Sequence, residues 1–181
     1  MEVPRLLRSR DQRYHLLMVG AGLNAGASAA AAAYQAALDN DLAELERSAA
    51  VHRLGPCDDV PSVPAGVGVI LSSSVREGCH VGLMEGAASG AVPVVRDWPF
   101  VAGRPHSART LFPEDWVVTS PQQAADRILA VTESESTRSL HGRAASRYAL
   151  SQWDWTAVQG DYDSLLLRPG DPVSSLVEAT L

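Results

Sequence analysis

Short apolar runs alternate with longer alanine-rich or amphipathic stretches along most of the chain. Residues 14–19 (YHLLMV) form an apolar run ended by Gly20-Ala21-Gly22, the pattern of a buried strand. Residues 27–47 are rich in alanine, leucine and glutamate and predict a helix. Residues 50–54 predict a second strand, stopped by Gly55-Pro56, and residues 58–64 a turn or short helix. A third strand is predicted over 67–71 (VGVIL), then a loop over 72–78 and a helix over 79–89, with Gly90 as its C-cap. Residues 92–95 (VPVV) and 116–119 (WVVT) predict a fourth and a fifth strand. Ser120 followed by Pro121 opens a helix to about residue 132, and further helices are predicted over 136–151 and 155–167. The first thirteen residues show no element, and Arg5, Arg8 and Arg10 within them read as a solvated basic end.

This alternation implies the α/β class: a Rossmann-like three-layer sandwich whose parallel sheet is covered by helices on both faces. Ligands of such sheets bind beyond the carboxyl ends of the strands, which directs attention to the loops after residues 19, 54 and 71. Residues 1–167 are expected to form one domain, and 168–181, rich in proline, glycine and serine, a loose tail.

Composition narrows the classes. The net charge of −6 argues against a broad nucleic-acid-binding surface. No apolar stretch reaches the ~20 residues of a membrane helix, and the N-terminus lacks a signal core, so a cytoplasmic protein is expected. Cys57 and Cys79 form neither a disulfide framework nor a metal spacing and fit a reducing compartment. His15, His52, His80, His106 and His141 are scattered, and neither a metal nor a cofactor is expected. A G-x-S-x-G nucleophile elbow is absent. All fifteen basic residues are arginine, so any lysine a mechanism needs would have to come from another segment or chain.

The stretch over 72–90, SSSVREGCHVGLMEGAASG, carries the candidate chemistry. It follows a strand and opens a helix, and Gly78 lets a ligand approach the backbone closely. The amides of Gly78, Cys79, His80 and Val81 are then expected as free donors at an anion-attracting helix start. Glu77 precedes that start and Glu85 lies about two turns in, roughly 10 Å away along a continuous helix. Two carboxylates astride a phosphate-binding terminus suit a ligand with a sugar, a diphosphate and a ribose in sequence.

Glu77 and Glu85 with seven residues between them, followed by Ala88-Ser89-Gly90 and VPVV, resemble the E-x7-E signature of retaining GT-B glycosyltransferases (group 1, family 4). LLMVGAG, VHRLG, the approach to the serine-rich loop and SQWDWTAVQGDYDSLL are similar to other parts of that family, so the resemblance runs from about residue 14 to 167. It implies the nucleotide-sugar-binding half of a bacterial enzyme that transfers a hexose from a nucleotide-diphosphate sugar to an acceptor hydroxyl with retention. By the resemblance Glu77 lies near the donor sugar as the catalytic carboxylate, Glu85 holds the ribose, and the amides of Cys79, His80 and Val81 receive the diphosphate. Gly55 would meet the base, Gly20 and Gly22 line the cleft, and Ser74 forms its rim.

A complete family member is roughly twice this length and has an acceptor-binding half. A fragment, a truncated product or one subunit of a split enzyme is therefore expected, inactive without an acceptor-binding domain or chain. The family's Arg-Lys pair on the diphosphate has no lysine here, with Arg5, Arg8 and Arg10 as candidates by charge only, and Arg96-Asp97-Trp98-Pro99 replaces the usual glycine-rich loop, with Trp98 open to a stacking or a structural role. Two rivals stand beside this reading. One is a degenerate, non-catalytic glycosyltransferase module. The other is an NADP-binding oxidoreductase domain, on Gly20-x-Gly22-x3-Gly26 with Arg53 toward a 2′-phosphate.

Overall fold

The computed structural model describes residues 1–21, 25–57, 63, 66–75 and 77–167. Gly22, most of the 58–64 turn and the 168–181 tail lie outside the described residues. The strands are β1 (Leu16–Val19), β2 (Val51–Gly55), β3 (Val69–Ser72), β4 (Val92–Arg96) and β5 (Val117–Val118). The helices are α1 (Glu2–Arg10), α2 (Ala29–Arg47), α3 (Val81–Ala88), α4 (Ala108–Leu111), α5 (Pro121–Val131), α6 (Glu135–Trp153) and α7 (Trp155–Leu167). Helix starts follow local chemistry. The hydroxyls of Ser28, Ser120 and Ser134 accept the amides of Ala31, Gln123 and Thr137 at 3.0, 3.1 and 3.0 Å. Asp154 separates α6 from α7 and accepts the Thr156 amide at 2.9 Å.

α1 is absent from the sequence prediction. Its helix has Glu2 in the first turn and Arg8 and Arg10 in the last, in accord with the macrodipole, and it tolerates Pro4 near its start. Two of the arginines there, Arg5 and Arg8, are not a free basic end. Arg5 donates to the Asp41 carbonyl at 2.9 Å, and Arg8 donates to the Gln12 and Tyr14 carbonyls at 2.5 and 2.9 Å. Leu7 is buried against Val94, Val118 and Ile128, which ties α1 to the sheet and to α5.

All ladders are parallel, as expected, but they form two sheets rather than one: β1–β2, and β3–β4–β5. Leu16 pairs with Val51, Val69 with Val92, and Val95 with Val117. Around β4 the three layers are complete. Val94 faces Leu7, Ala124 and Ile128 of α1 and α5, whereas Val95 faces Leu83, Ala87, Ala145 and Ala149 of α3 and α6. Alternate residues of one strand thus serve two cores, which is why VPVV is apolar throughout. A third cluster joins Leu42 and Leu45 of α2 to Ala50 and Val51.

Below the sheet's edge, α6 is fixed by aromatic contacts. Phe112 and Trp116 stack with centroids 6.3 Å apart, and Trp116 meets Tyr148 and Trp153 edge-on at 5.3 and 6.4 Å. Trp98 is fully buried and edge-on to Phe112, so its role is structural and a stacking sugar has no access to it.

Candidate functional site

β3 delivers the chain into the loop that holds Ser74 and Glu77, and α3 follows. The Ser74 hydroxyl donates to Glu77 Oε1 at 2.6 Å. Ser74 therefore orients the carboxylate rather than serving as a rim alone. The sequence does not signal this contact, since a Ser-x-x-Glu spacing indicates a capping box, whose bonds run to backbone amides. Glu77 Oε2 has no partner among the described residues and is free to accept from a ligand hydroxyl.

α3 begins two residues later than expected. His80 is its N-cap, and its Nδ1 accepts the Leu83 amide at 3.3 Å. With Nδ1 accepting, the neutral ring carries its proton on Nε2, which lies 3.8 Å from Glu77 Oε1. Two expectations change as a result. The Val81 amide is already donated to the Cys79 carbonyl at 3.0 Å, so it is not a free phosphate donor. The backbone over Gly78, Cys79 and His80 is irregular rather than helical, so the spacing of Glu77 and Glu85 is not that of one continuous helix. The amides of Gly78, Cys79 and His80 have no protein acceptor among the described residues, and these three are the donors the loop presents. The Cys79 thiol is exposed and contacts Met84 Sδ at 3.9 Å.

Glu85 is exposed on α3 and lines, with His80 and Gly82, a cavity of about 890 Å³. Around Glu85 one side of α3 is close-packed and the other is open. Gly86 and Ala87 are buried, and a Cβ on Gly86 would lie 2.4 Å from Ile70 Cδ1, so α3 rests directly on β3. Gly82 instead faces open space. The rest of the cavity is lined mainly by aliphatic residues of α1, β1, β3 and α5. Ser72, buried at the end of β3 beneath the loop, has a hydroxyl without a partner among the described residues, a feature the sequence does not signal.

Gly20 and Gly55 end β1 and β2 with φ of +109° and +68°, and the Gly20 amide donates to the Gly55 carbonyl at 2.8 Å. A side chain would find room at either position, so backbone conformation is what favours glycine there. Neither glycine borders the cavity that Glu85 lines.

Arg53, the candidate for a 2′-phosphate, donates to Asp39 at 2.8 Å and to Glu46 at 2.5 Å. Those bonds raise the guanidinium pKa further, Asp39 acting most, and hold the Asp39 carboxyl below its ordinary value. An arginine already shared by two carboxylates is not waiting for a phosphate, which removes the Arg53 part of the oxidoreductase reading. Among the described residues no group of three potential metal ligands occurs, and no helix is long and apolar enough to cross a membrane.

The backbone is similar to that of HepE from Anabaena, solved in complex with UDP and glucose, with a TM-score of 0.72 and 19% identity over 91% of this chain and 43% of that one. It is also similar to WaaG, a glycosyltransferase involved in lipopolysaccharide biosynthesis, with a TM-score of 0.57 and 13% identity over 91% of this chain and 51% of that one. The chain has the fold of a GT-B glycosyltransferase half. This GT-B half spans about half the length of the two solved chains or less. No family model matches it, and neither does any curated protein.

Proposed function

We propose that this GT-B half binds the donor of a glycosyltransferase, a nucleotide-diphosphate sugar, and that transfer of a hexose with retention needs a further acceptor-binding domain or chain. The observation that carries the reading is the Ser74–Glu77–His80 cluster on the loop after β3, with Glu85 on α3, the helix that follows. HepE was solved with UDP and glucose, which supports the same ligand class here. In this reading the Gly78, Cys79 and His80 amides take the diphosphate. Glu85 accepts ribose hydroxyls, and Glu77, held by Ser74, meets the donor sugar as the catalytic carboxylate. Gly55 and Gly20 shape the approach to the base. The free thiols of Cys57 and Cys79 fit a reducing, cytoplasmic setting.

The test is calorimetric titration of UDP, GDP and ADP against the purified chain and its Glu85→Ala variant. Removing a carboxylate that accepts from the ribose is expected to weaken binding by about 2 kcal/mol, roughly thirtyfold. Equal affinity in the two proteins would sink the assignment of Glu85.

A further inference from the structure

Two carboxylates, Glu77 and Glu85, flank the start of α3, where the open amides of Gly78, Cys79 and His80 offer dipoles but no net charge. Among the described residues of this loop and of α3 there is no arginine, so His80 is the side chain there that can become a cation. A further polar group is left unmet beneath. Ile70 and Ser72 lie on one face of β3, and Ile70 Cδ1 underlies Gly86 of α3. β3 advances about 3.3 Å per residue, and α3 runs back over it at about 1.5 Å per residue. Ser72 therefore faces the first turn of α3, about four residues ahead of Gly86. Ser72 is 3% exposed, and its hydroxyl has no partner among the described residues. A buried orphan hydroxyl under that turn points to a polar ligand at the helix start.

His80 is held in a form that a ligand can release. Its Nδ1 accepts the Leu83 amide at 3.3 Å, a long bond, and the same amide also donates to the His80 carbonyl at 3.0 Å. Turning the ring away therefore leaves no amide orphaned. While Nδ1 accepts, the ring is neutral, because a proton there would be set against the Leu83 N–H. Nε2 lies 3.8 Å from Glu77 Oε1, so an imidazolium at this place has a carboxylate within reach. The other titratable groups that face it are Cys79 and Glu85 beside it, and Arg13, His15 and His52 across the cavity. Arg13 is already paired with Asp11.

We propose that His80 is a proton-coupled contact to the diphosphate: neutral and capping α3 in the free chain, protonated and turned onto a phosphate oxygen when donor is bound. The inference rests on the donor reading above and adds a charge balance to it. A diphosphate brings negative charge to a loop that already holds Glu77, and like charges at such spacing repel in a site partly shielded from water. One proton, taken from solvent onto Nδ1, offsets that repulsion. The ring then donates from both nitrogens, Nε2 toward Glu77 and Nδ1 toward the phosphate. Because the ligand favours the protonated form, affinity rises as pH falls through the range in which imidazoles titrate.

The experiment is calorimetric titration of UDP-glucose, GDP-mannose and ADP-glucose into the whole chain at pH 6, 7 and 8, each in two buffers of different ionisation heat. Both phosphates of these probes are esterified and do not titrate in that range, so any proton taken up is taken up by the protein. Uptake on binding is expected, with affinity about fivefold higher at pH 6 than at pH 8. His80→Asn keeps a good N-cap for α3 and cannot be protonated. That variant is expected to bind without proton uptake and with affinity that changes less than about twofold over the same range. Equal uptake by His80→Asn would overturn the proposal and move the proton to another group, such as Cys79. Binding without uptake by the unaltered chain would overturn it too, while leaving the donor reading in place. No binding of any of the three sugars would overturn the donor reading and this inference with it.

Discussion

Trp116→Ala should lower the free energy of unfolding by about 3–5 kcal/mol, the range for deleting a large buried aromatic side chain. Trp116 is 5% exposed and touches the rings of Phe112, Tyr148 and Trp153. Two of those partners lie on α6, so the loss is not confined to the 116 position: the truncation opens a cavity between the end of β4 and a helix of nineteen residues. Small surrounding side chains such as Ala145 and Ala149 cannot swing in to fill it. Urea denaturation followed by circular dichroism would report the change as a lower midpoint at similar slope. Trp155→Ala is the control. Trp155 is 59% exposed, and its truncation should move stability by less than about 0.5 kcal/mol. A Trp116→Ala protein as stable as the control would show that the aromatic cluster does not hold α6.

Gly142→Ala should destabilise by about 3 kcal/mol, although alanine is the better helix former by about 1 kcal/mol. A Cβ at position 142 would sit 2.3 Å from the Gly90 carbonyl oxygen and 3.3 Å from its carbon. These are backbone atoms of the turn that ends α3, so relief requires α6 to move as a body. Gly160→Ala, within α7, separates the two effects. A Cβ there meets nothing within 4 Å, and the substitution should stabilise by about 0.5–1 kcal/mol. Thermal melts of the two variants should shift in opposite directions, and shifts of the same sign would refute the close-approach account of Gly142.

The elements visible in the sequence are those whose signal is local. β4 announces itself because it is buried on both faces, and α5 because Ser120 and Pro121 mark its start. α7 is observed over the residues its pattern predicts, Trp155–Leu167. α1 was missed because its stability comes from Leu7 packing against α5 and from arginines that pair with distant or turn carbonyls, none of which shows in nine residues of sequence. Histidine is not among the favoured N-caps, so the start of α3 at Val81 was equally hidden. In the candidate site the spacing of Glu77 and Glu85 directs attention to this loop, whereas the Ser74–Glu77 bond and the open face at Gly82 depend on how the loop turns off β3. The division of the sheet was not legible at all. A sequence pattern shows that strands exist, and it cannot show that two of them lack a common neighbour.

α6 reaches the far end of α3 almost without side chains, through Gly142 against Gly90 and through the Ser146 hydroxyl donating to the Ala88 carbonyl at 2.7 Å. The anchor of the helix is thus remote from the residues at its other end. Substitutions between Ser74 and His80 can change the loop while the bearing of α3 is kept by contacts they never touch. The same arrangement makes position 142 a poor place to look for specificity and a good place to lose the whole platform.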